Sequence, residues 1–136
     1  MLFQARDFGP AEAVFAEALG LRRTAGRESE NFLAHLHTSL ANLALVHVET
    51  GKLDSARKLF EEALTVCDER LSSEPMAIVD LTRLQGWMSL CLAKIPDARS
   101  AAIAYAQRAA ANLATVEGLN PEGAASLRPL VNELLR

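Results

Sequence analysis

The sequence is poor in cysteine, in aromatic residues and in long apolar runs. Its two cysteines, Cys67 and Cys91, lie 24 residues apart and form no CxxC pair, which excludes the usual spacing of a zinc or thioredoxin-like motif. We interpret them as reduced core thiols, because cytosolic proteins keep most cysteines reduced, and a disulfide or redox role is the alternative. The apolar stretches are short and interrupted by charge, so no segment is predicted to span a membrane.

An excess of positive charge is also missing. The formal net charge is −3 and the pI is near 5.6, whereas proteins that bind nucleic acid usually present a basic face. We therefore predict no nucleic-acid partner. The N-terminus lacks the basic-then-apolar layout of a secretory signal, and we expect a cytoplasmic protein.

Alanine and leucine are what the sequence has in abundance. The 136 residues include 24 Ala and 22 Leu, but only ten Val and Ile together. Ala and Leu lose little rotamer freedom in a helix, while β-branched residues are better placed in strands. The composition therefore predicts an all-α protein, and the length fits one domain.

Glycine, proline and cap residues divide the sequence into six predicted helices. Gly51 follows the end of one helical pattern, and Ser72 and Ser73 stand as cap residues ahead of a first-turn proline, Pro75. The connections are short, which predicts antiparallel neighbours. The predicted helices are at about 9–25, 28–50, 53–71, 74–94, 97–117 and 121–135.

The predicted final helix has both a start signal and an internal break. Gly118 is interpreted as a stop, Asn120 as a cap and Pro121 as the first helical residue. Pro129 should kink or divide this helix, because proline lacks an amide hydrogen and clashes with the preceding turn.

One segment repeats another at a distance of 45 residues. The identical pairs are Ala56 with Ala11, Phe60 with Phe15, Glu62 with Glu17, Ala63 with Ala18 and Leu64 with Leu19. A second step of 45 residues gives a weaker match, since Ala101 and Tyr105 fit but Arg108 stands where Ala63 was. Regular self-similarity of this kind predicts a repeat architecture.

The pattern upstream of Gly51 completes a recognisable unit, formed by Leu40, Leu43, Ala44 and His47. With the Ala-x3-Phe pair it resembles the tetratricopeptide repeat, whose pattern runs W-x2-L-G-x2-Y and then A-x3-F. The period exceeds the usual 34 residues, and in this the sequence is similar to the longer repeats of the kinesin light chain type. The resemblance implies antiparallel helical hairpins stacked as a tetratricopeptide-like α-solenoid. A four- to six-helix bundle with coincidental spacing is the alternative.

We expect a single domain over residues 1–136. Its predicted parts are a half repeat at 9–25, a full repeat at 28–71, a degenerate repeat at 74–117 and a C-terminal capping helix at 121–135. The half repeat lacks its first helix, so its apolar side chains have no preceding helix to cover them. We interpret this either as excision from a longer array or as an edge for self-association. That edge consists of Phe8, Val14, Phe15 and Leu19.

The sequence contains no constellation of residues that predicts catalysis or a cofactor. His35 and His37 are two apart and would point in different directions on a helix. His47 occupies a packing position of the repeat, and a lone histidine lacks the partners of a metal site. Nucleophile, phosphate-loop and zinc-helix motifs are missing. We therefore expect no enzyme activity, no cofactor and no metal.

The resemblance implies that the first helix of each hairpin lines a concave groove that holds a peptide. In this sequence, the resemblance places the groove residues of helix 28–50 at Thr38, Ala41, Asn42, Leu45 and Glu49. Those of helix 74–94 are Arg83, Trp87, Leu90 and Lys94. Asn42 is the sharpest candidate, because an amide can bond a bound backbone in both directions. Trp87 is the second, since it stands beside Gly86, which we expect to open space above it. Core filling is the alternative for Trp87.

The sequence therefore predicts a protein–protein interaction scaffold that binds a peptide or partner helix, as the repeat segment of a larger bacterial regulatory or signalling protein. One alternative is a homotypic assembly module that uses the N-terminal edge. Another is a helical sensor domain for a small ligand, in which a closed pocket with convergent polar groups is expected.

Overall fold

The computed structural model describes residues 32–135 of the chain. The predicted helix 9–25 and the edge formed by Phe8, Val14, Phe15 and Leu19 lie outside these residues. Within the described part the backbone forms five helices and no strand, which confirms the all-α fold class. The helices are α1 (Phe32–Glu49), α2 (Leu53–Leu71), α3 (Ala77–Ala93), α4 (Arg99–Leu119) and α5 (Pro121–Leu134).

The chain divides into two compact units, residues 1–66 and 67–136. Helix α1 and most of α2 belong to the first unit, and the last turn of α2 with α3, α4 and α5 belongs to the second. The single domain expected from the sequence stays a prediction.

In the first unit, α1 ends at the predicted glycine. The amide of Gly51 donates to the carbonyl of Val48 (3.2 Å), and the amide of Lys52 donates to the carbonyl of His47 (2.8 Å). This pair of hydrogen bonds is the Schellman arrangement, which needs a left-handed residue after the helix. Gly51 supplies it with φ of 80°. A side chain at this position would have space, so the backbone alone requires glycine.

The predicted packing positions of the first hairpin are buried. Five of them are completely inaccessible to solvent, with relative exposures of 0%: Leu40, Ala44, Ala56, Phe60 and Ala63. His47 is also buried and its Nδ1 lies 2.7 Å from Ser55 Oγ, so a hydrogen bond joins α1 to the first turn of α2. This supports the packing interpretation of His47.

The predicted start of α3 is wrong by about one turn. The Ser72 hydroxyl donates to the carbonyl of Glu69 (2.8 Å) and the Ser73 hydroxyl to the carbonyl of Arg70 (3.3 Å), so both serines cap the end of α2 instead. Helix α3 begins at Ala77 and has no side-chain cap. Serine hydroxyls can serve a preceding helix as readily as a following one when a tight turn separates the two.

In the second unit, hydrogen bonds and close approaches fix the directions of the helices. Ser89 Oγ donates to the carbonyl of Ala102 (2.7 Å), and Asn112 Nδ2 donates to Gln85 Oε1 (2.9 Å). A later residue of α3 thus meets an earlier one of α4, so these helices are antiparallel, as predicted. Helix α5 packs on both of them.

The capping residues of the last helix are confirmed, but the predicted stop at Gly118 is wrong. Asn120 Oδ1 accepts the Gly123 amide at 2.9 Å, with Pro121 at the first helical position. Helix α4 continues through Gly118 to Leu119. Helix α5 is not divided at Pro129. Pro129 is exposed, as is Ala125 one turn earlier, so water can satisfy the carbonyl that loses its helical partner.

The predicted positions of the second repeat in α4 are also wrong, by one residue. Ala101 is exposed and Tyr105 is only half-buried. The buried positions are Ala102, Ala106 and Ala109, which follow Ala56, Phe60 and Ala63 at a distance of 46 residues rather than 45.

A longer connection explains this shift. Helices α1 and α3 keep the distance of 45, because the residues that follow Leu40, Leu43, Ala44 and His47 at this distance are all buried, namely Gln85, Met88, Ser89 and Leu92. The connection between α1 and α2 is 50–52, whereas that between α3 and α4 is 94–98. The second connection is two residues longer than the first. One of these residues reflects the earlier end of α3, and the other moves the buried face of α4 forward by one residue.

Candidate functional site

The predicted groove residues of α1 form a partly exposed stripe. Thr38 and Glu49 are exposed, and Asn42 and Leu45 are half-buried. Ala41, which we expected to continue the stripe, is buried. Ala41 therefore belongs to the packing face.

Asn42 is the polar centre of this stripe. Its side-chain amide makes no hydrogen bond with any residue in the described part of the chain. It therefore presents an acceptor oxygen and two donor hydrogens from a half-buried position.

The predicted groove residues of α3 are also more exposed than their neighbours on the helix. Arg83 and Trp87 are half-buried, while Leu90 and Lys94 are exposed. Arg83 Nη1 contacts Asp80 Oδ1 at 3.4 Å, so a salt bridge already engages its charge. The indole N–H of Trp87 finds no hydrogen-bond acceptor among residues 32–135.

The expected role of Gly86 is wrong. A Cβ atom at Gly86 would lie 2.7 Å from Leu130 Cδ2 and 3.6 Å from Leu134 Cδ1, both of α5. Gly86 therefore allows the close approach of α5 to α3, and leucine side chains of α5 occupy the space that we expected Gly86 to open.

Both cysteines are buried and neither forms a disulfide, as predicted. Burial raises the pKa of the Cys67 thiol from its ordinary value of 9.0 to about 12, with a smaller contribution from the charge of Asp80. A thiol with this pKa holds almost no nucleophilic thiolate at neutral pH. Cys67 is thus a packing residue rather than a reactive group.

The charged cluster with the deepest burial lies where α2 meets α3. Arg70 donates from Nη1 to Asp80 Oδ2 and from Nη2 to Glu74 Oε2, both at 2.9 Å. Burial acts to lower the pKa of Arg70, but the two carboxylates outweigh it and raise the pKa above its usual value. Arg70 is permanently charged, so it does not transfer protons. Its two hydrogen bonds stabilise the connection between α2 and α3.

A cleft that the sequence did not predict opens where α3 and α5 end and α4 begins. Its volume is about 650 Å³. Its lining residues include the buried Ala102 and Ala106 and the exposed Leu90, Ala93, Ile103 and Leu135. The signal that could have found it is Ala106, which stands where the first repeat has Phe60 once the distance of 46 is used.

The described residues contain neither a metal-binding cluster nor a membrane-spanning helix. Residues 32–135 contain no group of three or more His, Cys, Asp or Glu side chains that could hold a metal ion. Over the same range, each helix is too short or too polar to cross a membrane.

One segment of the described chain matches a known protein family. Residues 38–74 match the family model described as Tetratricopeptide repeat. The match supports a tetratricopeptide repeat family for this segment, which contains most of α1 and all of α2. Neither curated proteins nor solved structures give a match. The kinesin-light-chain-like subtype stays a prediction.

The segment that matches the tetratricopeptide repeat model contains an Ala-x3-Phe-x2-Ala pattern that is completely buried. Ala56, Phe60 and Ala63 lie within the match. The equivalent positions of α4, Ala102, Ala106 and Ala109, lie beyond it. The second hairpin thus has alanine at the position where the first has its aromatic residue.

Proposed function

We propose that this protein is a protein–protein interaction scaffold that binds a peptide or partner helix without turning it over. Tetratricopeptide repeats typically bind protein partners, and residues 38–74 match that family. The observation that carries the proposal is the state of Asn42, since its amide lies half-buried on the helix face predicted to meet a peptide and has no hydrogen bond within the described residues.

An unbonded amide at a half-buried position favours recognition of a peptide backbone. A backbone segment offers one N–H donor and one C=O acceptor per residue, and an asparagine side chain can bond both. Leu45, also half-buried and one turn further along α1, supplies adjacent apolar surface. Together they form a small site that holds a main chain without demanding one particular sequence.

Trp87 is the second proposed contact, on its own helix α3. Its ring is half-buried and its N–H has no acceptor in the described part of the chain. Tryptophan is enriched among the residues that dominate interface energies, because it combines a large apolar surface with one donor.

The experiment is affinity capture from native lysate, comparing the wild type with Asn42→Ala and Trp87→Asp. Asn132→Ala is the matched control, because Asn132 is an exposed asparagine on α5. We expect a partner that the wild type and the control capture and that Asn42→Ala retains about tenfold less well, from the loss of one or two hydrogen bonds. Circular dichroism establishes that each variant is folded.

Two outcomes would contradict the scaffold proposal. Equal capture by every variant would remove Asn42 and Trp87 from the binding surface. Capture of a second copy of the chain, lost in a Phe8→Asp, Phe15→Asp double variant, would move the function to homotypic assembly through the predicted N-terminal edge.

A further inference from the structure

The apolar pattern of helix α4 does not by itself select one packing face. Eight of its 21 residues are alanine, and only three of these, Ala102, Ala106 and Ala109, are buried. The other alanines are exposed or half-buried and lie around the rest of the helix. Small apolar residues on several sides specify the buried face of a helix weakly, because the usual contrast between an apolar and a polar face is missing.

Two neighbouring faces of α4 compete for the position that packs against α3. At the distance of 45 residues that relates α1 to α3, the equivalents of the buried residues of α2 are Ala101, Tyr105, Arg108 and Ala111. The structure instead uses the set one residue later, which consists of Ala102, Ala106, Ala109 and the half-buried Asn112. One residue corresponds to about 100° of rotation about the helix axis, so the two sets are distinct faces.

A hydrogen bond between side chains of α3 and α4 distinguishes the two faces. Asn112 Nδ2 donates to Gln85 Oε1 at 2.9 Å, and Gln85 is only 8% exposed. In the first hairpin the equivalent residues are Leu40 and Val66, which are both buried and apolar. The second hairpin therefore carries an amide pair where the first carries two apolar side chains.

The amide pair favours one register of α4 because its hydrogen bond requires one arrangement of the two helices. With α4 turned by one residue, Ala111 would take the place of Asn112, and the side-chain oxygen of Gln85 would lose its donor. A buried polar atom without a partner costs more than a typical hydrogen bond contributes. Two apolar side chains impose no such penalty. Ser89 adds a second polar contact between these helices, since its Oγ donates to the carbonyl of Ala102 at 2.7 Å.

We propose that the Gln85–Asn112 pair is a conformational device that selects the face through which α4 packs. The longer connection 94–98 allows α4 to shift by one residue, and the amide pair makes the shifted register the preferred one. Buried polar pairs select register in the same way in coiled coils. The selected register also keeps the charge of Arg108 exposed, where its guanidinium lies 4.9 Å from the centre of the Tyr105 ring.

Thiol labelling of the full chain measures this register. Ala101→Cys and Ala102→Cys are made separately as reporters, and the native cysteines, Cys67 and Cys91, give the background rate because they are completely buried. Both reporters are placed in an Arg108→Ala background, which removes a charge that by itself opposes burial of the competing face. With the amide pair intact, we expect Ala101→Cys to react at least about tenfold faster, because Ala101 is exposed and Ala102 is 6% exposed.

The deciding variant combines Gln85→Leu with Asn112→Val, which gives the second hairpin the apolar pair of the first. We expect the ratio of the two labelling rates to fall by at least about fivefold, through slower reaction of Ala101→Cys and faster reaction of Ala102→Cys. The opposite signs matter, because local opening accelerates labelling at a buried site and does not slow it at an exposed one.

Two controls accompany the deciding variant. Asn132→Val removes an exposed asparagine of α5 and should leave both rates unchanged. Gln85→Asn combined with Asn112→Gln exchanges the two amides and should restore the rates of the intact pair, since one donor and one acceptor remain.

Three results would overturn the proposal. An unchanged rate of Ala101→Cys labelling in the apolar variant would show that packing and connection length alone set the register. Loss of the helical circular dichroism signal in that variant would show that the pair serves stability rather than the choice of register. Labelling of the exchanged amide pair at the rates of the apolar variant would show that the hydrogen bond is not the determinant.

Discussion

The two described hairpins, α1–α2 and α3–α4, use the same repeat positions with different side chains. In the first hairpin, Ala56, Phe60 and Ala63 are completely buried. In the second, three alanines take these positions, and the cleft opens beside two of them, Ala102 and Ala106. A buried repeat position can therefore carry a large side chain in one copy and a small one in the next.

The difference teaches that burial and space-filling are separate requirements of a repeat. Alanine satisfies the first at the equivalent of Phe60, since Ala106 is as buried as the aromatic residue. Alanine does not meet the requirement for space-filling in the same way, because its side chain has a much smaller volume than that of phenylalanine. This separation lets a repeat protein keep its helices and still vary the side chains beside them.

The largest expected effect is in the first hairpin. Replacing Phe60 by alanine makes its repeat position equal to that of Ala106 and leaves a cavity. We expect the free energy of unfolding to fall by about 3–5 kcal/mol, measured by urea denaturation. Tyr105→Ala is the control, since Tyr105 is the residue that a uniform distance of 45 makes equivalent and it is only half-buried. A similar loss from both substitutions would contradict the shifted register.

The next prediction separates the two registers directly within α4. Ala109→Leu adds volume at a completely buried position and should destabilise the protein by about 1–3 kcal/mol through overpacking. Ala101→Leu adds the same volume at an exposed position and should be close to neutral. Thermal unfolding of the two variants side by side is sufficient, and the reverse order would show that the distance of 45 holds throughout.

The pH dependence of stability should report on Cys67. Its pKa is raised from 9.0 to about 12 in the folded protein, so above pH 9 the unfolded chain releases a proton that the folded chain keeps. Stability is therefore fully present below pH 9 and declines between pH 9 and 12. From this thiol alone we expect a loss of about 1 kcal/mol per pH unit in that window. Cys67→Ala should remove this part of the slope, and an unchanged slope would contradict the assigned burial.

The smallest predicted effects compare the two connections between helices. Gly51 and Asp97 both have a positive φ, of 80° and 67°. Gly51→Ala should destabilise by about 1 kcal/mol, because alanine disfavours that conformation. Asp97→Gly should stabilise by a few tenths of a kcal/mol up to about 1 kcal/mol for the opposite reason. Chemical denaturation distinguishes the two signs, and two changes of the same sign would count against this account of the turns.

Much of the local structure could be predicted from the residues. The all-α class follows from the excess of Ala and Leu, and the Gly51 and Asn120 caps follow from side chains or backbone freedom that act within a few residues. The buried positions of the first hairpin follow from the spacing of Ala44, Ala56 and Phe60. These features depend on short-range chemistry that one sequence displays.

The other features depend on contacts between residues that are far apart in the sequence, and the sequence alone does not show these contacts. The register of α4 was wrong because a longer connection shifts a whole helix without changing its composition. The role of Gly86 was wrong because its neighbour, Leu130, is 44 residues away. The cleft was missed because it needs three helix ends to come together. Contacts between elements of high sequence separation are set by the packing of the entire unit.

The free energy of unfolding of an Ala106→Phe variant tests the central claim most directly. If the second repeat lacks only the side chain that Phe60 supplies in the first, the new ring enters the existing cleft. The variant should then be at least as stable as the wild type in urea denaturation. A loss of about 1–3 kcal/mol, comparable with that of Ala109→Leu, would show that no such space is available to this position and would contradict the account.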